Sequence, residues 1–395
     1  MTDYPQLVLK GGRERSLVGG HPWLFSGAVA KIKGRPGPGE IVMVTTAEGQ
    51  PLALGFYNPQ SDISFRMLTR DVASPGDREF WHRRLRNAGA LRNRIVAAET
   101  TACRLVNAEG DGMPGLVVDR YGDYLVMVIS TAGMEERREA VIEALVGEYR
   151  PLGILERSDG PARRLEGLGD RTGWVWGEET REGIAIRENG LAFEVDILAG
   201  QKTGFFLDQR DNRSRIGALC NELSVLNCFS YTGAFSVYAA RGGAKRVVSV
   251  DASEPANVAA RGHLEKNGFS PEAHPVLRDD VFQYLRKTEA SYDLIILDPP
   301  AFAKNRREVQ HAARGYKDIN LQAFRRLSPG GLLATFSCSN AIDEALFEKI
   351  VLGAARDAGK TIRLLKKLAA APDHPTNLAH SEGRYLKGLL VNALP

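Results

Sequence analysis

Short apolar runs separated by glycine- and proline-bearing turns fill residues 1–72. Residues 7–9, 41–44, 52–54 and 63–67 read as strands, and G-R-P-G-P-G-E at 34–40 is the strongest turn signal between them. So many short strands predict a small β-barrel. After a Ser74-Pro75-Gly76-Asp77 linker, in which Asp77 is placed to cap, the period changes. Phe80, Leu85, Leu91 and Ile95 recur at helical spacing over 79–98. Strand-and-turn pattern returns over 103–130, a helix is expected over 134–149, and short strands follow at 153–156, 174–176, 184–186 and 193–197. This stretch predicts a small α+β domain over 73–198.

The pattern changes character again from Ser224. Val225 and Leu226 end in the small polar turn N-C-F-S-Y-T-G (227–233). An amphipathic segment follows over 234–241, then an apolar run at 246–250 closed by Asp251. Strand, tight loop, helix, strand, acid is the unit that holds a nucleotide-like ligand at the C-terminal edge of a parallel sheet. Apolar runs at 274–277, 292–297 and 330–337 supply further strands. The expected fold class of residues 199–395 is therefore α/β and Rossmann-like.

Composition narrows the class without naming it. The 395 residues are 43% hydrophobic and 25% charged, ordinary for a soluble chain of two or three domains. A net charge of +4 permits a nucleic-acid partner without requiring one. Residues 1–40 hold six Lys/Arg against three Asp/Glu, and Arg78, Arg83, Arg84, Arg86, Arg92 and Arg94 crowd one helix. That crowd reads either as a solvated helix face or as a phosphate contact. Lys10 and Arg13 lie beside H-P-W-L-F-S-G (21–27), whose Trp23 and Phe25 read first as core and otherwise as an RNA face. The four cysteines (Cys103, Cys220, Cys228, Cys338) form no CxxC and have no histidine at ligand spacing. Neither a disulfide framework nor a metal site is expected, and a reducing cytoplasm fits. The N-terminus lacks a signal-peptide pattern, and no apolar run approaches membrane-spanning length.

The candidate chemistry collects at the ends of the C-terminal strands. The 227–233 turn has one glycine, Gly233, where a dinucleotide site would want G-x-G-x-x-G. It suits a ligand with an uncharged sugar link and an amino-acid tail, for whose carboxylate Arg210 is a candidate clamp. Asp251 is placed to accept from ribose hydroxyls, and Asp279 or Asp280, in R-D-D-V-F, from an adenine amino group. Asp298-Pro299-Pro300 ends a buried strand, its prolines stiffening the turn and removing backbone donors. The next strand delivers Cys338 to the same edge.

Taken in order, N-C-F-S-Y-T-G, V-S-V-D, R-D-D-V-F, L-D-P-P, R-G-Y-K-D-I-N and F-S-C-S resemble the S-adenosylmethionine-dependent 23S ribosomal RNA cytosine-5 methyltransferases that carry a PUA domain. The resemblance extends over nearly the whole chain through H-P-W-L-F-S-G-A-V-A, E-G-D-G-M-P-G and Q-K-T-G-F-F-L-D-Q-R. It implies an N-terminal PUA RNA-binding barrel, a central α+β domain, a class I methyltransferase domain with a mostly parallel seven-stranded sheet, and a cytoplasmic homodimer acting on ribosomal RNA.

It also implies roles. Cys338 would be the nucleophile and Asp298 the group that holds the base. Asn227, Phe229, Tyr231 and Gly233 would line the methionine end of the cofactor, with Asp251 on its ribose and Asp280 on its adenine. Pro299, Pro300 and Phe302 would shape the base site, and Lys10, Arg13, Arg314 and Lys317 would contact RNA. The alternative for R-G-Y-K-D is a solvated helix start. One departure stands out: many RNA cytosine-5 methyltransferases place a second cysteine where this chain has Ala301. Two other readings stay open, amino-group methylation of a purine on the Asp-Pro-Pro turn without a thiol, and a catalytically idle RNA-binding protein.

Overall fold

In the computed structural model, which describes residues 4–72, 76–303 and 306–394, the chain forms two compact units. The first comprises residues up to 186 with 195–207 and 372–383; the second comprises 187–194, 208–371 and 384 onward. Ser74 and Pro75 of the expected linker lie outside the described residues. Asp77 caps the helix that follows, its carboxylate accepting from Phe80 N at 2.8 Å.

The first unit opens with β1 (Gln6–Leu9), α1 (Glu14–Val18), β2 (Trp23–Leu24), β3 (Val29–Lys33), β4 (Ile41–Thr45), β5 (Pro51–Tyr57) and β6 (Phe65–Thr69). They make a curled half-barrel of six strands in the order β2-β6-β5-β4-β1-β3, filled by Leu7, Leu9, Leu24, Val42, Val44 and Phe65. Next come α2 (Arg78–Ile95), β7 (Ala102–Asn107), β8 (Leu116–Tyr121), β9 (Tyr124–Ile129), α3 (Ala132–Glu135), α4 (Arg138–Tyr149), β10 (Gly153–Ser158), α5 (Pro161–Leu165) and β11 (Arg171–Gly177). Phe80, Trp81 and Leu85 of α2 pack on the five-stranded sheet β11-β10-β9-β8-β7, and Ile41, Leu54 and Phe56 of the half-barrel join the same core. Each such side chain contributes about 1.5–3 kcal/mol by leaving water. One helix expected over 134–149 is instead two, broken at Glu136–Arg137, where the Arg137 guanidinium reaches back to the Gly39 and Gly133 carbonyls.

The arginines of α2 are mostly engaged within the protein. Arg78 pairs with Glu143, Arg86 with Glu148, and buried Arg92 grips Asp111 through both carboxylate oxygens at 2.6 and 2.8 Å. Arg84 donates to the Leu68 carbonyl. Trp23 donates its indole N–H to Glu109 at 2.8 Å, beneath the Arg66 guanidinium. The core reading fails for Phe25, which is 50% exposed because it sits at the corner where β2 gives way to a 3-10 turn.

A hairpin, β12 (Ile184–Glu188) and β13 (Leu191–Val195), leads to the second unit. Its elements are α6 (Arg210–Gly217), β14 (Ser224–Cys228), α7 (Ala234–Arg241), β15 (Arg246–Asp251), α8 (Glu254–Lys266), β16 (Val276–Arg278), α9 (Val281–Lys287), β17 (Tyr292–Leu297), α10 (Val309–Arg326), β18 (Leu327–Ser337), α11 (Glu344–Asp357), β19 (Ile362–Leu368) and β20 (Lys387–Ala393). The sheet runs β16-β15-β14-β17-β18-β20-β19, parallel except for β20, which is antiparallel to both neighbours. Strand order reverses between β14 and β17, and the crevice above such a switch point is where doubly wound sheets bind ligands. Leu294, Ile295, Ile296 and Leu297 are fully buried, as a central parallel strand covered on both faces requires.

Candidate functional site

The turn after β14 is built on strain. Phe229 and Tyr231 adopt left-handed backbone with φ of 55° and 46°, costly for bulky residues, and Gly233 follows at φ 75°. A Cβ on Gly233 would lie 2.7 Å from that of Ala260, so only glycine fits against α8. Asp251 holds the turn: its Oδ2 accepts from Tyr231 N at 2.8 Å and its Oδ1 from Ser253 N at 2.9 Å. Below, fully buried Asn227 donates to Ser236 Oγ, which shares a hydrogen bond with Ser249 Oγ. Asn227 therefore sits under the turn, engaged with its own sheet.

A histidine the sequence reading passed over completes this scaffold. His263 of α8 donates from Nδ1 to the Thr232 carbonyl at 2.8 Å, and its Nε2 lies 3.0 Å from both the N–H and the carbonyl of Glu194. Burial lowers the pKa of His263, and likewise that of His274, whose Nδ1 accepts from Val247 N. Both would be protonated in the unfolded chain below about pH 6.5. The stability they lend is fully present above that pH and is lost as pH falls toward their depressed folded values. The thermal midpoint is expected to be level above pH 7 and to fall between pH 6.5 and 5, with a shallower fall in His263→Gln. A midpoint constant down to pH 5 would contradict this.

The remaining candidates stand along the same strand edge. Asp279 and Asp280 follow β16; Asp279 accepts from Asp280 N, and Asp280 caps α9 through Gln283 N at 2.9 Å. Asp298 and buried Pro299 follow β17, with Pro300 exposed. Gln209 donates Nε2 to Asp298 Oδ2 at 3.0 Å, and Asn212 fixes that amide by donating to Gln209 Oε1 at 2.6 Å. Arg210, beside it, is buried and donates to Asp211.

Cys338 follows β18 and is half-buried, whereas Cys103, Cys220 and Cys228 are fully buried. Burial pushes the Cys220 thiol up to about 12 and raises that of Cys228 further.

An aromatic row links the two ends of the site. Phe229, Phe282, Phe302 and Tyr316 follow one another at centroid separations of 6.2, 6.0 and 4.6 Å. Tyr316 shares a hydrogen bond with Ser339 Oγ at 2.9 Å, and Ser339 Oγ accepts from Ala303 N. R-G-Y-K-D is thus the middle of α10 rather than a helix start, and of its residues only Tyr316 is buried, on the core face with Ala312, Ile319 and Ala323. Gly315 leaves room for Phe302, whose ring would lie 3.1 Å from an added Cβ. Arg314 is exposed, and Lys317 pairs with Asp357 at 2.8 Å. Lys10, in the first unit, donates to the Gly27 carbonyl, and Arg13 is exposed before α1.

A seven-stranded sheet with one antiparallel strand, a strained turn at its switch point and an acid closing the next strand define a class I methyltransferase. Residues 168–391 match the S-adenosylmethionine-dependent methyltransferase family, to which the chain belongs, and residues 7–70 match a PUA-like domain. The strained turn, its glycine cradle and the Asp251 carboxylate fit S-adenosylmethionine, the cofactor of this family.

Two relatives, each named ribosomal RNA large subunit methyltransferase I, align along their whole length. One from Aeromonas salmonicida is 45% identical over 98% of this chain and 99% of its own; one from Vibrio cholerae is 43% identical over 99% and 100%. A Streptococcus mutans structure described as a SAM-dependent methyltransferase gives a TM-score of 0.84 at 25% identity, covering 98% of this chain and 99% of its own. Another solved methyltransferase, complexed with SAH, gives 0.85 at the same identity and coverage.

Proposed function

We propose that this chain methylates C5 of a cytosine in large-subunit ribosomal RNA, with Cys338 as the nucleophile. The observation that carries the reading is the contrast among cysteines. Three are sealed in cores, and the fourth is only partly buried, on the edge that also bears Asp298 and the cofactor turn. The identity of the relatives supports ribosomal RNA as the substrate, and the half-barrel, with Lys10 and Arg13 beside it, suits RNA docking. The same reading makes the protein a cytoplasmic enzyme and, by resemblance, a homodimer. Among the described residues no helix is long and apolar enough to cross a membrane.

C5 of cytosine is a poor nucleophile, and the residue types on this edge answer that. The Cys338 thiolate adds to C6, the S–C6 bond forms, and the ring pair moves toward C5. Asp298 holds the N3/N4 edge of the base, its carboxylate oriented by the Gln209 amide on Oδ2. S-adenosylmethionine, when bound, supplies an electrophilic methyl group to C5. Loss of the C5 proton and of the Cys338 sulfur then restores the aromatic ring. The place of Phe302, one residue later than the aromatic of an N-P-P-[FY] turn, and its packing against Tyr316 at 4.6 Å and 39° favour this over amino-group methylation.

The test is nucleoside mass spectrometry of ribosomal RNA methylated by the purified protein. 5-Methylcytidine is the expected product, and a methylated purine amine would sink the proposal. Gln209→Ala is expected to lower kcat/KM roughly ten- to a hundred-fold, the worth of about 1.5–3 kcal/mol for a hydrogen bond to a charged group. An unchanged kcat/KM would remove Gln209 from the account.

A further inference from the structure

One buried lysine has no part in the mechanism above. Lys387 opens β20, opposite Ser337 in the antiparallel register with β18, and is only 8% exposed. Its Nζ donates to the Ser339 carbonyl at 2.8 Å, so the ammonium lies across the short segment that carries Cys338. Removing an ammonium from water is costly unless an opposite charge compensates, and a single neutral carbonyl does not. Among the described residues three groups push its charge state electrostatically. Asp343 and Glu344, at the start of α11, are exposed; Asp343 caps that helix through Leu346 N, and Glu344 pairs with Lys367 at 2.6 Å. The third is the Cys338 thiol, one residue before the carbonyl that Lys387 binds. Burial pulls the Lys387 pKa down, and of the groups that push it back up, Cys338 acts most strongly, ahead of Asp343 and Glu344. From α10, Tyr316 is kept protonated by burial and stays a donor to the same loop rather than a competing anion.

We propose that Lys387 is a positioning residue whose buried ammonium holds Cys338 as a thiolate. This deepens the reading of Cys338 as nucleophile and rests on it for its catalytic meaning. The thiol proton goes to solvent before the base arrives. Lys387 keeps its own proton, and the sulfur lone pair forms the bond to C6. Such a cation beside a cysteine is a common physical route to a reactive thiol at neutral pH. It also explains why β20, otherwise apolar over Gly388–Val391, begins with a charge aimed inward.

The test compares the full-length wild type with K387R, which keeps the charge, and K387Q, which keeps a donor and loses it. Alkylation by iodoacetamide is followed against pH and mapped to Cys338 by mass spectrometry. Wild type and K387R are expected to titrate below the ordinary thiol value of about 8.5. K387Q should titrate at least about one pH unit higher, with labelling at pH 7 slowed about tenfold. Equal midpoints in wild type and K387Q would overturn the proposal. Should K387Q not fold, a wild-type midpoint at or above 8.5 would overturn it alone. Because alkylation needs no RNA, it separates the two ideas: a depressed midpoint with no RNA adduct would sink the nucleophile reading and leave the Lys387–Cys338 pair standing.

Discussion

Cys338→Ala is expected to lower methyl transfer to ribosomal RNA by roughly 10⁴–10⁶-fold, the scale on which loss of a covalent nucleophile acts. Cofactor binding should persist, because the strained turn, Gly233 and Asp251 are organised by β14, β15 and α8 without the cysteine. The fold should persist too, since a small, partly buried side chain just past a strand end leaves little cavity behind. Methyl transfer with labelled cofactor, read beside cofactor affinity and thermal midpoint, checks all three. A variant retaining more than a tenth of wild-type activity would return Cys338 to a packing role.

Glu188→Ala is expected to have the largest effect on stability. Glu188 and Arg213 are both buried and meet through two hydrogen bonds at 2.8 and 2.6 Å, tying the β12–β13 hairpin to α6. Burial alone would lower the Arg213 pKa, but Glu188 holds it raised. Removing the carboxylate takes the doubly hydrogen-bonded opposite charge from a guanidinium in the core, which costs about 3–5 kcal/mol. For a unit of this size that lowers the thermal midpoint by on the order of 10 °C. Replacing both partners together by apolar residues should recover much of the loss, because the under-compensated buried charge, not the missing pair, is what destabilises. A single variant melting within 2 °C of wild type would contradict the argument, the tolerance being about what 1 kcal/mol moves.

What the sequence made legible was local. The helix read at 234–241 and the acid closing the strand at 251 stand where period and polarity put them, because both signals are carried by neighbours along the chain. The split between α3 and α4 was not legible, since it depends on Arg137 reaching Gly39, nearly a hundred residues away. The strain at Phe229 and Tyr231 was hidden for another reason. Local preference would put glycine at positive φ, and here the Asp251 carboxylate and the sheet enforce the conformation on aromatic residues. Gln209 and Lys387 escaped because the residues they serve, Asp298 and Ser339, lie 89 and 48 positions away. The one available hint was Arg210, the next residue after Gln209, which its chemistry singled out as a candidate clamp. In R-G-Y-K-D the charges drew attention, and the buried tyrosine that packs on Phe302 and bonds Ser339 was passed over.

The covalent adduct is the centre of the account, and RNA bearing 5-fluorocytosine tests it. Fluorine at C5 does not leave as a proton does, so the S–C6 bond should survive once C5 has been methylated. With cofactor present, the wild-type protein is predicted to form a stable protein–RNA species, and peptide mapping should place the attached nucleotide on Cys338. Attachment at another residue, or no adduct while the unmodified RNA is methylated normally, would contradict it.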